Sequence, residues 1–116
     1  MTEKKDVDSY LKNFKIKMRI YDILFLDNRG KNQQALHDLE LTPSMRRQYI
    51  SALKVEDYSE GPLEEKMHGI LPMWVFGKLI KGKEVYIKIS MGQEKSSTIC
   101  ISFHVAEHSM NYPFKT

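Results

Sequence analysis

The fold is decided by residues 73–104, which read MWVFGKLIKGKEVYIKISMGQEKSSTICISFH. Two runs, 73–80 and 83–90, are rich in β-branched and aromatic residues, and these residue types favour strands. The Lys81-Gly82 pair between them is typical of a tight turn, so the two runs predict a β-hairpin. A polar loop then leads into a third run, residues 98–104. We therefore expect an antiparallel sheet of at least three strands in meander order.

Alternation along the predicted strands assigns their side chains to the two faces of the sheet. In the second strand, Tyr86 and Lys88 lie opposite the core-facing residues Val85, Ile87 and Ile89. In the third strand, the residues expected in the core are Ile99, Ile101 and Phe103. The residues expected to join Tyr86 and Lys88 on a shared polar face are Thr98, Cys100, Ser102 and His104. An ordinary solvated sheet surface has the same pattern.

The register of the hairpin has two alternatives, because a two-residue turn and a three-residue turn with a glycine bulge differ by one residue. A two-residue turn places Trp74 and Phe76 in the core and Val75 beside Lys88. A three-residue turn places Trp74, Phe76 and Lys78 on the polar face, as a platform on which single-stranded nucleic acid could stack. Tryptophan is usually buried, so we favour the first alternative.

The first part of the chain predicts a short helix followed by a strand. Residues 1–6 are polar and expected to be frayed, and the next apolar residues recur at near-helical spacing: Val7, Tyr10, Leu11 and Phe14. From Lys15 to Ile20 basic and apolar residues alternate, which predicts a half-buried strand with a basic outer face. Residues 23–26 could extend this strand, and Asp27-Asn28-Arg29-Gly30 has the composition of a turn.

Two further helical segments are predicted before the hairpin. The first lies after Asn32 and contains Ala35, Leu36 and Leu39. The second begins at Thr42-Pro43, because threonine can cap free amides and proline lacks only a donor that the first turn does not need. Its apolar stripe consists of Met45, Tyr49 and Leu53, whereas the cations expected off the stripe are Arg46, Arg47 and Lys54. Gly61-Pro62 predicts a break, followed by an irregular segment over residues 63–72.

The composition is typical of a single α+β domain over residues 1–116, with 109–116 as a C-terminal extension. Apolar residues make up 41%, and 18 Lys and Arg against 15 Asp and Glu give a net charge of +3, which is compatible with RNA or an acidic partner. The single cysteine, Cys100, cannot form an intramolecular disulfide. No apolar stretch approaches the roughly 20 residues of a membrane span. We therefore expect a cytoplasmic protein without a membrane partner.

Known catalytic and cofactor motifs are absent or poorly placed. The string His104-Val105-Ala106-Glu107-His108 matches H-x-x-E-H, but zinc chemistry needs its two histidines one turn apart on a helix. Here the string starts at the end of a predicted strand, so a zinc hydrolase on His104 and His108 is the least favoured alternative. The chain has no Gly-rich nucleotide motif. The sequence thus predicts neither a metal nor another cofactor.

Basic residues form two groups in the sequence. Around the hairpin tip they are Lys78, Lys81 and Lys83, which are also typical of a solvated turn. Upstream they are Lys15, Lys17, Arg19, Arg29 and Lys31. Together the two groups could attract a polyanion.

Four segments of the chain occur in an order that is found in a known family. They are a helix that runs into Val55-Glu56-Asp57-Tyr58, then Trp74, then Gly82-Lys83-Glu84-Val85-Tyr86-Ile87-Lys88-Ile89, then Ile101-Ser102-Phe103-His104. This order resembles the MqsR family of bacterial toxins, mRNA interferases with the RelE-like fold, over roughly residues 35–107. The resemblance implies an α+β domain whose antiparallel or mixed sheet packs against two or three helices. It also implies metal-independent cleavage of single-stranded RNA and neutralisation by a cognate antitoxin protein.

The resemblance carries over to the site only in part. Tyr86 matches the tyrosine that the family uses in its active site, and Lys88 matches the lysine two residues beyond it. Three positions depart: Glu60 stands near a family lysine, Val75 replaces a glutamine and His104 replaces a lysine. If the chain cleaves RNA, His104 and a hairpin lysine must carry more of the proton transfer and charge stabilisation. Residues 109–116 lie beyond the family pattern and could close over the sheet or meet a partner.

The sequence therefore predicts a metal-independent endoribonuclease that acts on mRNA, the toxin of a type II toxin–antitoxin pair. Attack of a 2′-hydroxyl on the adjacent phosphate needs a base, an acid and cations. We expect His104 to act as base or acid, Tyr86 to orient the phosphate or donate a proton, and Lys88 to stabilise charge. The lysines expected to bind the substrate are Lys78, Lys81 and Lys83. The alternative is a non-catalytic RNA- or protein-binding domain that uses the same sheet face.

Overall fold

The computed structural model describes residues 1–27, 30–64 and 69–115. Within them the helices are α1 Lys4–Tyr21, α2 Gly30–Asp38 and α3 Pro43–Ser51, and a short 3₁₀ turn covers Val55–Asp57. The strands are β1 Ile23–Phe25, β2 Tyr58–Leu63, β3 Met73–Ile80, β4 Lys83–Ser90 and β5 Thr98–Val105. They form one sheet of order β1-β5-β4-β3-β2, in which β1 is parallel to β5 and the other neighbours are antiparallel. The protein is therefore α+β, with a mixed five-stranded sheet.

The hydrophobic core lies between the helices and one face of the sheet. Its members from the helical layer include Phe14, Leu39 and Ile50, and its members from the sheet include Phe76, Ile87 and Phe103. All six are almost completely buried. Burial of each large apolar side chain stabilises the folded state by about 1.5–3 kcal/mol. The face of the sheet that carries these side chains therefore packs against the helices, and the opposite face carries the polar groups. No helix among the described residues is long and apolar enough to cross a bilayer.

The hairpin of β3 and β4 has the predicted strands and the two-residue turn. Ile80 pairs with Lys83, and φ is positive at both turn residues, 51° at Lys81 and 82° at Gly82. Positive φ at both central residues defines the type I′ turn, whose twist matches that of a hairpin. The register pairs Val75 with Lys88 and directs Phe76 into the core. The two-residue alternative is thus confirmed.

Helix α1 replaces the strand that alternation predicted over residues 15–20, and that prediction was wrong. The buried residues of α1 continue at helical spacing for one more turn: Val7, Leu11, Phe14 and Met18. Ile16 and Ile20, which the strand would have placed beside Met18, are 47% and 68% exposed. The helix also begins earlier than expected, at Lys4, where the carboxylate of Asp6 accepts a hydrogen bond from the amide of Glu3 at 2.8 Å.

Strand β2 replaces the break that was predicted at Gly61-Pro62, so that prediction was also wrong. Tyr58 pairs with Phe76 and Leu63 with Met73, with two register irregularities between them. Proline has no N–H group, and Pro62 is tolerated because β2 is an edge strand. On its open side β2 has no neighbouring strand, so a missing donor there removes no inter-strand hydrogen bond. Residues 65–68 of the predicted irregular segment, and Asn28-Arg29 of the predicted turn, lie outside the described residues.

A β-bulge in β5 changes which of its side chains face the core. Lys88 pairs with Ser102 but its neighbour Ile89 pairs with Cys100, so Ile101 is an extra residue. The residues that precede the bulge face the opposite side of the sheet from the one that simple alternation predicts, and Cys100 therefore packs in the core. Burial there raises the pKa of its thiol to about 12. The expectation that Cys100 lies on the polar face, and by the same alternation Thr98, was wrong. Ser102 and His104, after the bulge, keep their predicted face.

Helices α2 and α3 form close to where they were expected, although α2 begins before Asn32. The predicted apolar stripe of α3 was only partly right, because Met45 and Tyr49 are half-buried, Leu53 lies beyond the end of the helix, and Ile50 is the buried apolar residue. Thr42 accepts a hydrogen bond from the amide of Met45 at 3.1 Å and caps α3, as predicted. Arg46, expected off the apolar stripe, is only 2% exposed. Its guanidinium makes two hydrogen bonds to the carboxylate of Asp27, at 2.8 and 3.0 Å, and lies 3.6 Å from the centre of the Phe25 ring. A paired and stacked guanidinium can be buried where an unpaired one could not.

Candidate functional site

A polar groove with a volume of about 930 Å³ lies on the sheet face opposite the helical core. Its floor is formed by β4 and β5, with the side chains of Tyr86, Lys88, Ser102 and His104. One side is the start of α2, and another is part of β2. A further wall is formed by residues 107–111, which follow β5. We refer to residues 106–115 as the C-terminal strap.

Tyr86 and His104 are direct cross-strand neighbours at the centre of this groove. Their rings stack with centroids 5.3 Å apart and an angle of 15° between the planes. Nδ1 of His104 lies 3.0 Å from the backbone oxygen of Val105. Because a carbonyl can only accept, Nδ1 is the donor in this bond, and Nε2 is the ring nitrogen that remains available to other groups.

The proton of Tyr86 is held more tightly than that of an exposed tyrosine. Burial, and to a smaller extent the negative charge of Glu60, raises the pKa of the Tyr86 phenol. Both causes disfavour the tyrosinate. The phenol therefore stays protonated at neutral pH and can donate a hydrogen bond or a proton. Nζ of Lys88 lies 5.8 Å from the centre of the same ring, so a cation accompanies the phenol.

Charges of both signs line the groove. Lys31, at the start of α2, donates a hydrogen bond of 2.5 Å to a carboxylate oxygen of Glu107 in the strap. This hydrogen bond, helped by the charge of Lys31, lowers the pKa of Glu107. The second carboxylate is that of Glu60 on β2. The groove is therefore mixed in charge, and the lysines among its described lining residues are Lys31 and Lys88.

The three lysines around the hairpin tip lie elsewhere. Lys78 is on the core side of β3, where its ammonium is 3.4 Å from the carboxylate of Asp57. Lys81 donates a hydrogen bond of 2.9 Å to the backbone oxygen of Glu40, and Lys83 is exposed at the start of β4. None of the three lines the groove. Of the predicted site residues, the structure thus brings together Tyr86, Lys88 and His104 and leaves out the hairpin lysines.

Several residues that line the groove were not predicted as site residues from the sequence. Lys31 was grouped only with the upstream basic residues, and Glu60 was noted only as a departure from a family pattern. His108 and Glu107 line the groove, but β5 ends at Val105, so they do not share a helix with His104. Among the residues that the structure describes, no three His, Cys, Asp or Glu side chains are grouped as metal ligands.

The fold and the groove define the class of the molecule: an α+β protein whose mixed sheet carries a polar groove with a Tyr–His pair at its centre. No protein-family model, no curated protein and no solved structure matches the chain.

Proposed function

We propose that the chain is a metal-independent endoribonuclease that cleaves single-stranded RNA, and that it is the toxin of a type II toxin–antitoxin pair with a RelE-like fold. The observation that carries this proposal is the convergence of Tyr86, Lys88 and His104 in one groove. These are the three residues for which sequence reasoning expected catalytic roles. A base, an acid and a cation within one groove are the minimum that cleavage by the 2′-hydroxyl requires.

In the proposed reaction, Nε2 of His104 takes the proton of a ribose 2′-hydroxyl while that oxygen forms a bond to the adjacent phosphorus. The bond from phosphorus to the 5′-oxygen breaks, and the phenol of Tyr86 protonates the leaving oxygen. Lys88 stabilises the negative charge on the non-bridging oxygens during the transfer. The products are a 2′,3′-cyclic phosphate and a 5′-hydroxyl, and proton exchange with water restores both side chains.

A histidine at position 104 can act as the base in this proposed reaction. An imidazole can hold either protonation state near neutral pH, which lets one side chain accept a proton without a metal ion. The Val105 carbonyl fixes which nitrogen is the acceptor. A lysine at the same position would supply charge rather than a base, because its ammonium keeps its proton at neutral pH. The departure from the family pattern at His104 is therefore compatible with RNA cleavage.

The experiment is incubation of the purified protein with end-labelled single-stranded RNA in a chelating buffer. We expect His104→Ala to slow cleavage by about 100-fold to 10,000-fold, because a general base is lost. Tyr86→Phe, which removes one hydroxyl, should also slow it. Tyr21→Phe is the matched control, since Tyr21 lies at the end of α1 and outside the groove. No cleavage by the unmodified chain, or equal cleavage by the groove variants and the control, contradicts the proposal.

A second candidate is a non-catalytic domain that binds RNA or a protein through the same groove. The carboxylates of Glu60 and Glu107 favour it, because negative charge beside the floor opposes a phosphate at the reacting position. This candidate predicts binding that weakens steeply with salt but no cleavage and no growth arrest on expression. For the toxin proposal, expression should arrest growth, and a cognate antitoxin protein should relieve the arrest.

A further inference from the structure

The C-terminal strap is tied to β4 by the backbone and the side chain of one residue, Glu84. The amide of Ala106 donates to the backbone oxygen of Glu84 at 2.8 Å. The carboxylate of Glu84 accepts the amide of Met110 at 3.3 Å and the hydroxyl of Tyr112 at 2.7 Å. Glu84 therefore holds the strap at its start and again at Met110 and Tyr112.

The sheet beneath the strap is shaped to receive it. Gly77 of β3 pairs with Tyr86, and a Cβ at this position would overlap the Tyr112 hydroxyl and lie 2.8 Å from the sulfur of Met110. Any side chain at position 77 would therefore displace the Tyr112 hydroxyl and the Met110 sulfur from the sheet. Burial and the adjacent Glu84 carboxylate raise the pKa of Tyr112, so its hydroxyl remains a donor.

Both ends of the strap reach other elements. Near its start, Glu107 bonds to Lys31 of α2. Near its end, the ring of Phe114 stacks on that of Tyr58 in β2, with centroids 5.4 Å apart. The strap thus crosses the polar face of the sheet from β5 to β2, and residues 107–111 between the two anchors form a wall of the groove.

We propose that the C-terminal strap is a substrate-binding wall, held against the sheet by the Tyr112–Glu84 hydrogen bond over Gly77, and that it grips the RNA strand beside Tyr86 and His104. This inference rests on the proposed function and deepens it. Tyr112 and Gly77 are positioning residues, since they act through the strap. Loosening the strap should weaken RNA binding and leave the chemical step at saturating RNA almost unchanged, because the floor residues keep their places.

The test compares Tyr112→Phe and Gly77→Ala with the control Tyr21→Phe. Binding is measured with a fluorescent 2′-O-methyl oligoribonucleotide, which lacks the attacking hydroxyl. We expect the two strap variants to bind about five- to tenfold more weakly, which corresponds to the loss of roughly one net hydrogen bond. The kcat for ordinary RNA should change less than twofold, so the effect falls on KM. Hydrogen exchange at the Met110 amide should become faster, which a purely local change at the ring would not cause.

Three results overturn the inference. The first is unchanged binding in both strap variants, and the second is tighter binding, which would mean that the strap obstructs the groove. The third is unchanged exchange at the Met110 amide, which would mean that Tyr112 and Gly77 do not hold the strap. Failure of the unmodified chain to bind or cleave RNA overturns the proposed function and the inference together. Normal binding by the unmodified chain and by both variants overturns the inference alone.

Discussion

Tyr86 and Glu60 show how neighbouring side chains set the chemistry of the groove. Sequence reasoning identified Tyr86 by alternation and by family resemblance, and both arguments needed only local pattern. The influence of Glu60 depends on β2, whose pairing with β3 was not predicted. Glu60 acts on Tyr86 from a strand that is distant in sequence. Its effect on the pKa of Tyr86 was therefore not evident from the sequence.

Glu60→Gln should lower the pKa of Tyr86, because it removes the charge that helps to raise it. The pKa should stay above the ordinary tyrosine value of about 10, because burial is the larger cause and is unchanged. Ultraviolet titration measures this shift. The titration curve of the Tyr86→Phe variant is subtracted, both with and without Glu60→Gln, so that only the signal of Tyr86 remains. Glu56→Gln, an exposed carboxylate outside the groove, is the control. An unaltered Tyr86 titration in Glu60→Gln contradicts the assigned geometry.

The raised pKa of Tyr86 also predicts how stability depends on pH. The unfolded chain releases the phenolic proton first, at a pH of about 10, so the stabilising contribution is fully present below that pH and is lost above it. We expect Tyr86→Phe to flatten the alkaline loss of stability in urea unfolding. The change is partial because burial raises the pKa of Tyr10 as well. The same slope with and without Tyr86 contradicts this expectation.

Among the elements, the hairpin was predictable and α1 was predicted only in part. Lys81-Gly82 supplies the positive φ angles that a type I′ turn needs, so two residues determine the strand ends. In α1, three apolar residues at alternate positions imitate a strand, although only Met18 of the three is buried. The bulge at Ile101 leaves no signal in the pattern of β5, because one extra residue changes the faces without changing the composition.

Two substitutions in α1 separate the helix from the strand interpretation. Met18→Ala should destabilise the fold by about 2–5 kcal/mol, because Met18 is 2% exposed and its loss leaves a cavity. Ile20→Ala should cost within about 0.5 kcal/mol, because Ile20 is largely exposed. Urea unfolding measures both. Similar losses for the two variants would support the strand interpretation, in which Met18 and Ile20 share a face.

At the scale of the whole molecule, the groove is assembled from α2, β2, β4, β5 and the strap. Local pattern predicted the floor, since Tyr86, Lys88 and His104 follow from strand alternation. It could not predict the walls, because Lys31 and Glu107 are 76 positions apart in the sequence and meet only in the folded chain. The same reason explains why the hairpin lysines, although close to the site in sequence, do not line the groove.

The salt dependence of RNA binding should identify the cations that contact phosphate. We expect Lys31→Ala and Lys88→Ala each to weaken binding and to lower the slope of log K against log salt by about 1. Lys5→Ala, at an exposed position outside the groove, should leave the slope unchanged. Fluorescence anisotropy at several salt concentrations measures the slopes. Equal slopes for all three variants would place the RNA elsewhere on the surface.

Attack by a 2′-hydroxyl within the Tyr86–His104 groove determines which chemical groups the cleaved ends carry. Ordinary single-stranded RNA and the same sequence with 2′-O-methyl groups throughout are incubated with the protein in a chelating buffer. We expect a 2′,3′-cyclic phosphate and a 5′-hydroxyl from ordinary RNA, no cleavage of the methylated strand, and loss of the products in His104→Ala. Cleavage of both strands, or ends that carry a 5′-phosphate, would contradict it.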